Sequence, residues 1–337
     1  MTTPANPTND LEKKSLVSDT AFGTFLCILA DTLFATMYFF MTALTAHAPN
    51  PWTQCFKEGV AAAVAIPIFL FFWKRGKCSP PPLRIFLLLL VAAFFCQFVG
   101  VRAHIATVGT IGIVLGLPLI RMFTILVTVF IGAVFLREHL TKLKSVAIAT
   151  LLVAIVVLIF SKSEGGLGLV TADSALTIFG FPIGTIVLIG LGFALTTGMG
   201  YALQTNLLRF VLRKAASESK NAEPVPLMFV VSVVCGFGSL CGAAFLLRDH
   251  GLRGFIDVDP VCWQYVICAG VLTTFAFYFK NLAYRYATVA KVATFSVLQI
   301  VIGTALGIIF LSEPTNVLLW AGLALCMLGI VLAARTT

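Results

Sequence analysis

Charge is what this sequence has least of. Only 11% of its 337 residues are Asp, Glu, Lys or Arg, against 59% hydrophobic residues and a mean hydropathy of +1.02. A water-soluble domain carries roughly 25% charged residues, because its outer face must be wetted. A chain with so few charges is matched to lipid over most of its surface. Also missing are the signatures of several enzyme classes. The sequence contains no HExxH, no GxSxG, no phosphate-cradling GxxxxGK[ST] loop and no CxxC pair. Without a nucleotide loop there is no self-contained ATP drive. The nine cysteines fall mostly inside apolar runs, where a thiol behaves as a small hydrophobe, and argue against a disulfide or metal framework. No catalytic residue, cofactor or metal site is therefore expected. The first nineteen residues are polar, lack a short apolar core with a cleavage site, and are expected to be a disordered cytoplasmic tail.

What is present is a series of long apolar runs. Residues 85–101, 147–160, 297–311 and 317–334 contain almost nothing polar. A helix needs about 20 apolar residues to cross the hydrocarbon core, and the pattern gives ten such segments. They cover about 21–45, 51–73, 84–106, 110–136, 143–161, 183–207, 226–247, 262–284, 288–311 and 317–335. Prolines open several of them, at Pro51, Pro82, Pro226 and Pro260, where the missing N–H costs nothing in a first turn. A barrel would show alternating apolar and polar residues, and these runs do not alternate. The fold class expected is an all-α polytopic membrane protein of ten transmembrane helices.

The formal net charge of +9 is scattered between the apolar segments, so it marks topology and not a nucleic-acid surface. With the N-terminus inside, 15 Lys and Arg residues fall on the cytoplasmic side, among them Lys74, Arg75, Arg137, Lys142, Arg213 and Arg285. Only 4 fall outside: Lys162, Arg248, Arg253 and Arg102. That bias predicts a multi-pass protein of the inner membrane with both termini cytoplasmic. Trp52, Trp73, Trp263 and Trp320 all sit at segment ends, as interfacial aromatics do.

Two internal similarities suggest duplication. The fourth segment ends in Leu136-Arg137-Glu138-His139-Leu140-Thr141, and the ninth in Leu311-Ser312-Glu313-Pro314-Thr315. Gly23-Thr24 opens the first segment and Gly184-Thr185 the sixth. The expected units are a first five-helix repeat over 20–161, an external connecting loop over 162–182 and a second repeat over 183–337. An odd number of spans per unit inserts the second upside down, a plan common among secondary transporters. The two Glu-containing turns and the ten spans resemble the drug/metabolite transporter superfamily, in particular its EamA-like branch. The sequence departs from that pattern at Arg137, where a small residue is usual, and at Pro314, where a basic one is usual. Pro118 matches the usual proline of the fourth helix only loosely, and the ninth has none. The resemblance implies alternating access and a central cavity lined by the first, third, fourth, sixth, eighth and ninth helices. It places the fifth and tenth at the periphery.

Charges inside the spans are the sharpest functional clues, since burying one at the bilayer centre costs at least about 2.5 kcal/mol. They are Asp31, Lys57, Glu58, Arg102, Arg121, Lys280 and Lys291. Basic residues dominate, so an anionic or zwitterionic small molecule is the expected substrate, with Arg121 and Lys280 as first choices for its carboxylate or phosphate. Arg offers a planar donor fork for such groups, and Arg121 lies too deep to snorkel. Lys57 and Glu58 are adjacent and expected to point some 100° apart. Lys280 and Lys291 lie near helix ends, where a long stem can reach water; anchoring and binding are weighed equally for them. Arg102 reads as a gate or anchor. Asp31 is either the partner of Arg121 or a proton carrier.

Uncharged candidates are Tyr38, Gln97, Tyr201, Gln204 and Gln299. Interhelical hydrogen bonds are the commoner use of such side chains, yet Tyr38 and Tyr201 stand in helices the resemblance puts at the cavity. The histidines are read as lying at segment ends or in loops, and the GxxxG pairs, such as Gly303/Gly307, as packing. The function expected is a gradient-driven exporter or exchanger of small polar metabolites such as amino acids or organic anions. Its partners are that substrate and the lipid bilayer, with a homodimer allowed. The alternatives are a proton-coupled exporter of cationic drugs centred on Asp31 and Glu58, and an intramembrane enzyme acting on lipid-linked substrates.

Overall fold

The computed structural model describes residues 7–135, 141–164, 175–178, 181–218, 226–286 and 289–335. It is a helical bundle. In chain order the helices are α1 (Pro7–Thr45), α2 (Asn50–Lys74), α3 (Leu83–Ala93), α4 (Arg102–Ile111), α5 (Ile113–Phe135) and α6 (Lys142–Glu164). There follow α7 (Thr185–Glu218), α8 (Leu227–His250), α9 (Val261–Tyr286), α10 (Val289–Leu311) and α11 (Val317–Ala334). Among the described residues, seven stretches are long and apolar enough to cross a membrane, and three shorter apolar helices lie at Ser145–Ser161, Phe295–Leu311 and Val317–Ala333. Large apolar side chains such as Leu240, Ile309, Phe310 and Phe130 point outward. That inversion of a soluble surface is what a lipid-facing helix requires.

Three features differ from the sequence reading. First, α1 is continuous from Pro7, reaching back into the segment expected as a tail, while its candidate span begins at Ala21. Second, the connection after α6 contains a small antiparallel pair, Ala175–Ile178 with Phe181–Gly184. Third, the span Leu83–Ile111 contains a π-helical turn, Phe94–Val101, between α3 and α4. A π turn misaligns the backbone ladder and leaves carbonyls in need of donors. Here Gln54 of α2 supplies one, donating from Nε2 to the Gln97 carbonyl at 2.8 Å.

The helices pair across large sequence distances. α1 packs against α9 and α10, α2 against α8 and α9, α7 against α3, α4 and α5, α5 also against α10, and α6 against α11. Small residues permit the tightest crossings. A Cβ on Gly200 of α7 would come within 2.6 Å of the Gly100 backbone, so α7 crosses the π turn backbone to backbone. Gly242 of α8 is held as closely against Cys55 of α2. Most Thr hydroxyls, including Thr32, Thr36, Thr107 and Thr124, donate to a carbonyl four residues back in their own helix. They are satisfied locally and mark no site.

The two Glu-containing turns fare differently. Residues 136–140, with Glu138, lie outside the described residues. In the second turn, Ser312 takes a left-handed φ of 52° and the Glu313 carboxylate reaches the start of α5. It accepts from Ile113 N at 2.8 Å and from Val114 N at 3.0 Å. This satisfies two of the orphan donors at a helix start and sets a negative charge at the positive end of its dipole. Gly112, with φ 80° and ψ 173°, makes the approach possible, because a Cβ there would lie 2.5 Å from a Glu313 oxygen. Asn316 caps α11 in the ordinary way, accepting from Leu319 N at 2.8 Å.

Candidate functional site

Among the described residues, three sets of polar groups inside the bundle contain the candidate site residues. In the first, Lys57 Nζ lies 2.6 Å from Glu58 Oε1, with the side chains only 3% and 0% exposed. The expectation that these neighbours on α2 diverge is wrong. Their Cβ atoms do start about 100° apart, but the long lysine stem curls back to the carboxylate, because leaving either charge alone in this environment costs more than the bend. The Cys235 thiol of α8 borders the same carboxylate.

The second set ties α1 to α9 and α10. Lys280 Nζ donates to Asp31 Oδ1 at 2.7 Å and to Ser296 Oγ at 3.2 Å. Asp31 is fully buried, and its Oδ2 has no hydrogen-bond partner. Asp31 is thus the partner of Lys280 and not of Arg121. Lys280, expected to snorkel or bind substrate, already holds a carboxylate.

The third set surrounds Arg121, which lies eight residues into α5, about 12 Å along the helix axis. It is half-buried, and a guanidinium N–H donates to Gln299 Oε1 of α10. Gln299 is fully buried and its Nε2 has no partner. Among the described residues Arg121 makes no ion pair. Close enough to feel its charge are His104 and Tyr201. Tyr38 of α1 stacks on His104 of α4, with ring centroids 4.4 Å apart and planes 17° apart. The Tyr201 hydroxyl of α7 meets His104 Nδ1 at 3.3 Å. His104 is buried and its Nε2 is unpartnered.

Of the six candidate site residues, Tyr38 and Tyr201 thus both contact His104 within reach of the Arg121 charge, Asp31 and Lys280 are paired with each other, and Lys57 is paired with Glu58. The histidine itself was misread as a segment-end residue. Two full turns of helix follow it before Gly112 ends α4, and that was the available signal. Arg102 stacks over the Phe245 ring at 3.4 Å and lies 4.0 Å from Asp249, an anchor at the end of the bundle. The side chain of Lys291 is outside the described residues. The Gly303/Gly307 pair packs α10 on Leu117, Ile113 and Val114 of α5, directly below the Glu313 cap.

Ser296 and Gln299 are one turn apart on α10, so their side chains share a face. The Asp31–Lys280 pair and the Arg121 guanidinium therefore meet the same strip of α10, separated by about 4.5 Å of axial rise.

Comparison with known proteins agrees with this architecture. A solved structure titled only as the crystal structure of a protein superposes with a TM-score of 0.61 at 16% identity, over 94% of this chain and 99% of that one. It is one of fourteen solved chains that match. At that identity the likeness speaks for the fold alone. No curated protein matches the chain. The model of the EamA-like transporter family matches residues 188–335, the stretch that holds α8 to α11, Gln299, Lys280 and the Glu313 turn. Over that stretch the chain is similar to the EamA-like transporter family, a family of membrane transporters within the drug/metabolite transporter superfamily.

Proposed function

We propose that the protein is a secondary, gradient-driven transporter that exports or exchanges small anionic or zwitterionic metabolites by alternating access. The observation that carries this reading is Arg121, a cation well inside the bundle whose bonded partner is a carboxamide and not a carboxylate. A charge left so in a lipid-matched body is costly unless a solute answers it. The two carboxylates that a cation exporter would need, Asp31 and Glu58, are instead each paired with a lysine, which weighs against the proton-coupled alternative.

The reading includes ten membrane-spanning helices in two inverted five-helix repeats, with both termini on the cytoplasmic side of the inner membrane. In full, α6, α10 and α11 have 23, 23 and 18 residues, within the length a spanning helix needs. With α3 and α4 counted as one span, the helix pairings support the repeat. The first span packs on the eighth as the sixth packs on the third, and the first on the ninth as the sixth on the fourth. The pairs second–seventh, fourth–ninth and fifth–tenth map onto themselves. Adding five to every span number leaves this pattern unchanged, as a twofold relation between halves demands. The distribution of Lys and Arg supports the orientation.

The test is counterflow in proteoliposomes loaded with a panel of labelled amino acids and organic acids. The expected result is exchange of at least one anionic or zwitterionic class, with a loss of tenfold or more in Arg121→Ala. Wild-type exchange retained in that variant, or no exchange of any compound in the panel, would overturn the proposal.

A further inference from the structure

Three cations described inside the bundle do not have equivalent partners. Lys57 has Glu58, Lys280 has Asp31, and Arg121 has Gln299. Glutamine and glutamate are nearly the same size and shape. The carboxamide therefore occupies a place where a carboxylate would fit, and would close the third ion pair as the first two are closed. Counting the paired groups, the interior of the described bundle carries one uncompensated positive charge, at Arg121. Gln299 is also poised as more than a filler. Its Oε1 fixes the guanidinium fork, and its Nε2, fully buried and without a partner, adds an N–H donor next to that fork. A neutral acceptor towards Arg121 and a free donor beside it form a cradle for one carboxylate or one acid phosphate group.

We infer that Gln299 sets the charge selectivity of the site, leaving room for one negative charge so that the substrate carried is a net monoanion. This rests on the transport reading above and deepens it. A dianion would bring one charge more than Arg121 can answer. A neutral analogue would leave the guanidinium buried and unanswered, and both cases are penalised by the low dielectric of the bundle.

A bland alternative is that Gln299 only ties α10 to α5. The two roles predict opposite rankings of variants. Gln299→Glu would close the third ion pair. If Gln299 is a tie, that variant is as active as the wild type, and Gln299→Leu, which cannot bond Arg121, is the worst. If Gln299 sets selectivity, Gln299→Glu is the worst and Gln299→Leu is intermediate, because leucine keeps the uncompensated charge. The measurement is flux in proteoliposomes of full-length protein, using labelled short monocarboxylates, their primary amides and the matching dicarboxylates. Melting of each purified variant is followed in detergent.

The wild type is expected to favour monocarboxylate over amide by tenfold or more. Gln299→Glu should lose that preference at pH 7.5 with no fall in melting temperature. It should recover it at acidic pH, where the new carboxyl takes up a proton. Gln299→Leu should retain the preference with flux reduced severalfold. A Gln299→Glu protein that still prefers the monocarboxylate at pH 7.5, or a Gln299→Leu protein below it in the ranking, would overturn this inference and leave the transport reading standing. Failure of the wild type to carry any monocarboxylate would also overturn this inference, whereas the transport reading falls only if no amino acid or organic acid in the wider panel is exchanged.

Discussion

Two crossings inside the bundle join residues far apart in sequence, and they are built differently. Asp31 and Lys280, separated by 249 positions, close an ion pair between α1 and α9. Arg121 and Gln299, separated by 178, join α5 to α10 with one charge and one amide. Each draws on the same neighbouring turns of α10, through Ser296 and Gln299. A closed pair cancels its own field and holds two helices in register. An open one holds them more weakly but keeps its field available to a solute. On the proposed transport reading, the difference separates the part of the polar interior that fixes the fold from the part that would do the selecting.

The largest expected effect comes from opening the closed crossing. Asp31→Asn leaves the Lys280 ammonium buried without its carboxylate, and breaking such a pair costs about 3–5 kcal/mol. Unfolding of the purified protein in detergent should show that loss, and Lys280→Met added to Asp31→Asn should return most of it. The same experiment on the other crossing should give the reverse. Arg121→Met removes a charge that has no counter-ion, so its stability should stay within about 1 kcal/mol of the wild type, because the desolvation cost disappears with the charge. Equal destabilisation at both crossings would erase the distinction drawn between them.

A middle-sized effect is expected at Gly112. Its φ of 80° with ψ of 173° lies in a region essentially reserved for glycine, where another residue costs about 1–3 kcal/mol. Gly112→Ala adds a clash with the Glu313 carboxylate, so it should fall in the upper part of that range. Gly192, whose Cβ would meet nothing within 4 Å, is the matched control. Gly192→Ala in the middle of α7 should be neutral or slightly stabilising.

How much of this could be read from the sequence depends on the range of the interaction. Spans are properties of local windows of about 20 residues, and among the described residues the apolar runs coincide with seven helices long enough to cross a membrane and three shorter apolar ones. The π turn at Phe94–Val101 left no trace, because an extra residue per turn changes no composition. Asp31 and Lys280 were both singled out as buried charges, but no periodicity tells which cation a carboxylate will meet 249 positions away. Arg121 stood out by depth alone. Its partner did not, since a glutamine in an apolar helix has many uses and only the fold reveals that it stands where a counter-ion would. Glu313 was noticed as part of a repeated turn. Its partners were invisible, because they are backbone N–H groups, which every residue but proline carries.

The smallest effect concerns that turn. Glu313 provides a third crossing, from the end of α10 to the start of α5, and it answers no charged side chain among the described residues. Its two oxygens accept from two successive backbone N–H groups. Glu313→Gln keeps one acceptor oxygen of nearly the same reach and loses both the second acceptor and the charge facing the helix dipole. A cap interaction of this kind contributes about 1 kcal/mol. The expected loss in unfolding free energy is therefore about 1 kcal/mol, and about 2 kcal/mol for Glu313→Ala, which leaves both donors without the carboxylate. Hydrogen exchange at Ile113 and Val114 should rise in both variants, more in the alanine one, while the Asp31–Lys280 crossing is unaffected. If Glu313→Gln instead destabilised as much as Asp31→Asn, the carboxylate would be acting as the counter-ion of a cation. The division of the interior into closed pairs and one open charge would then have to be redrawn.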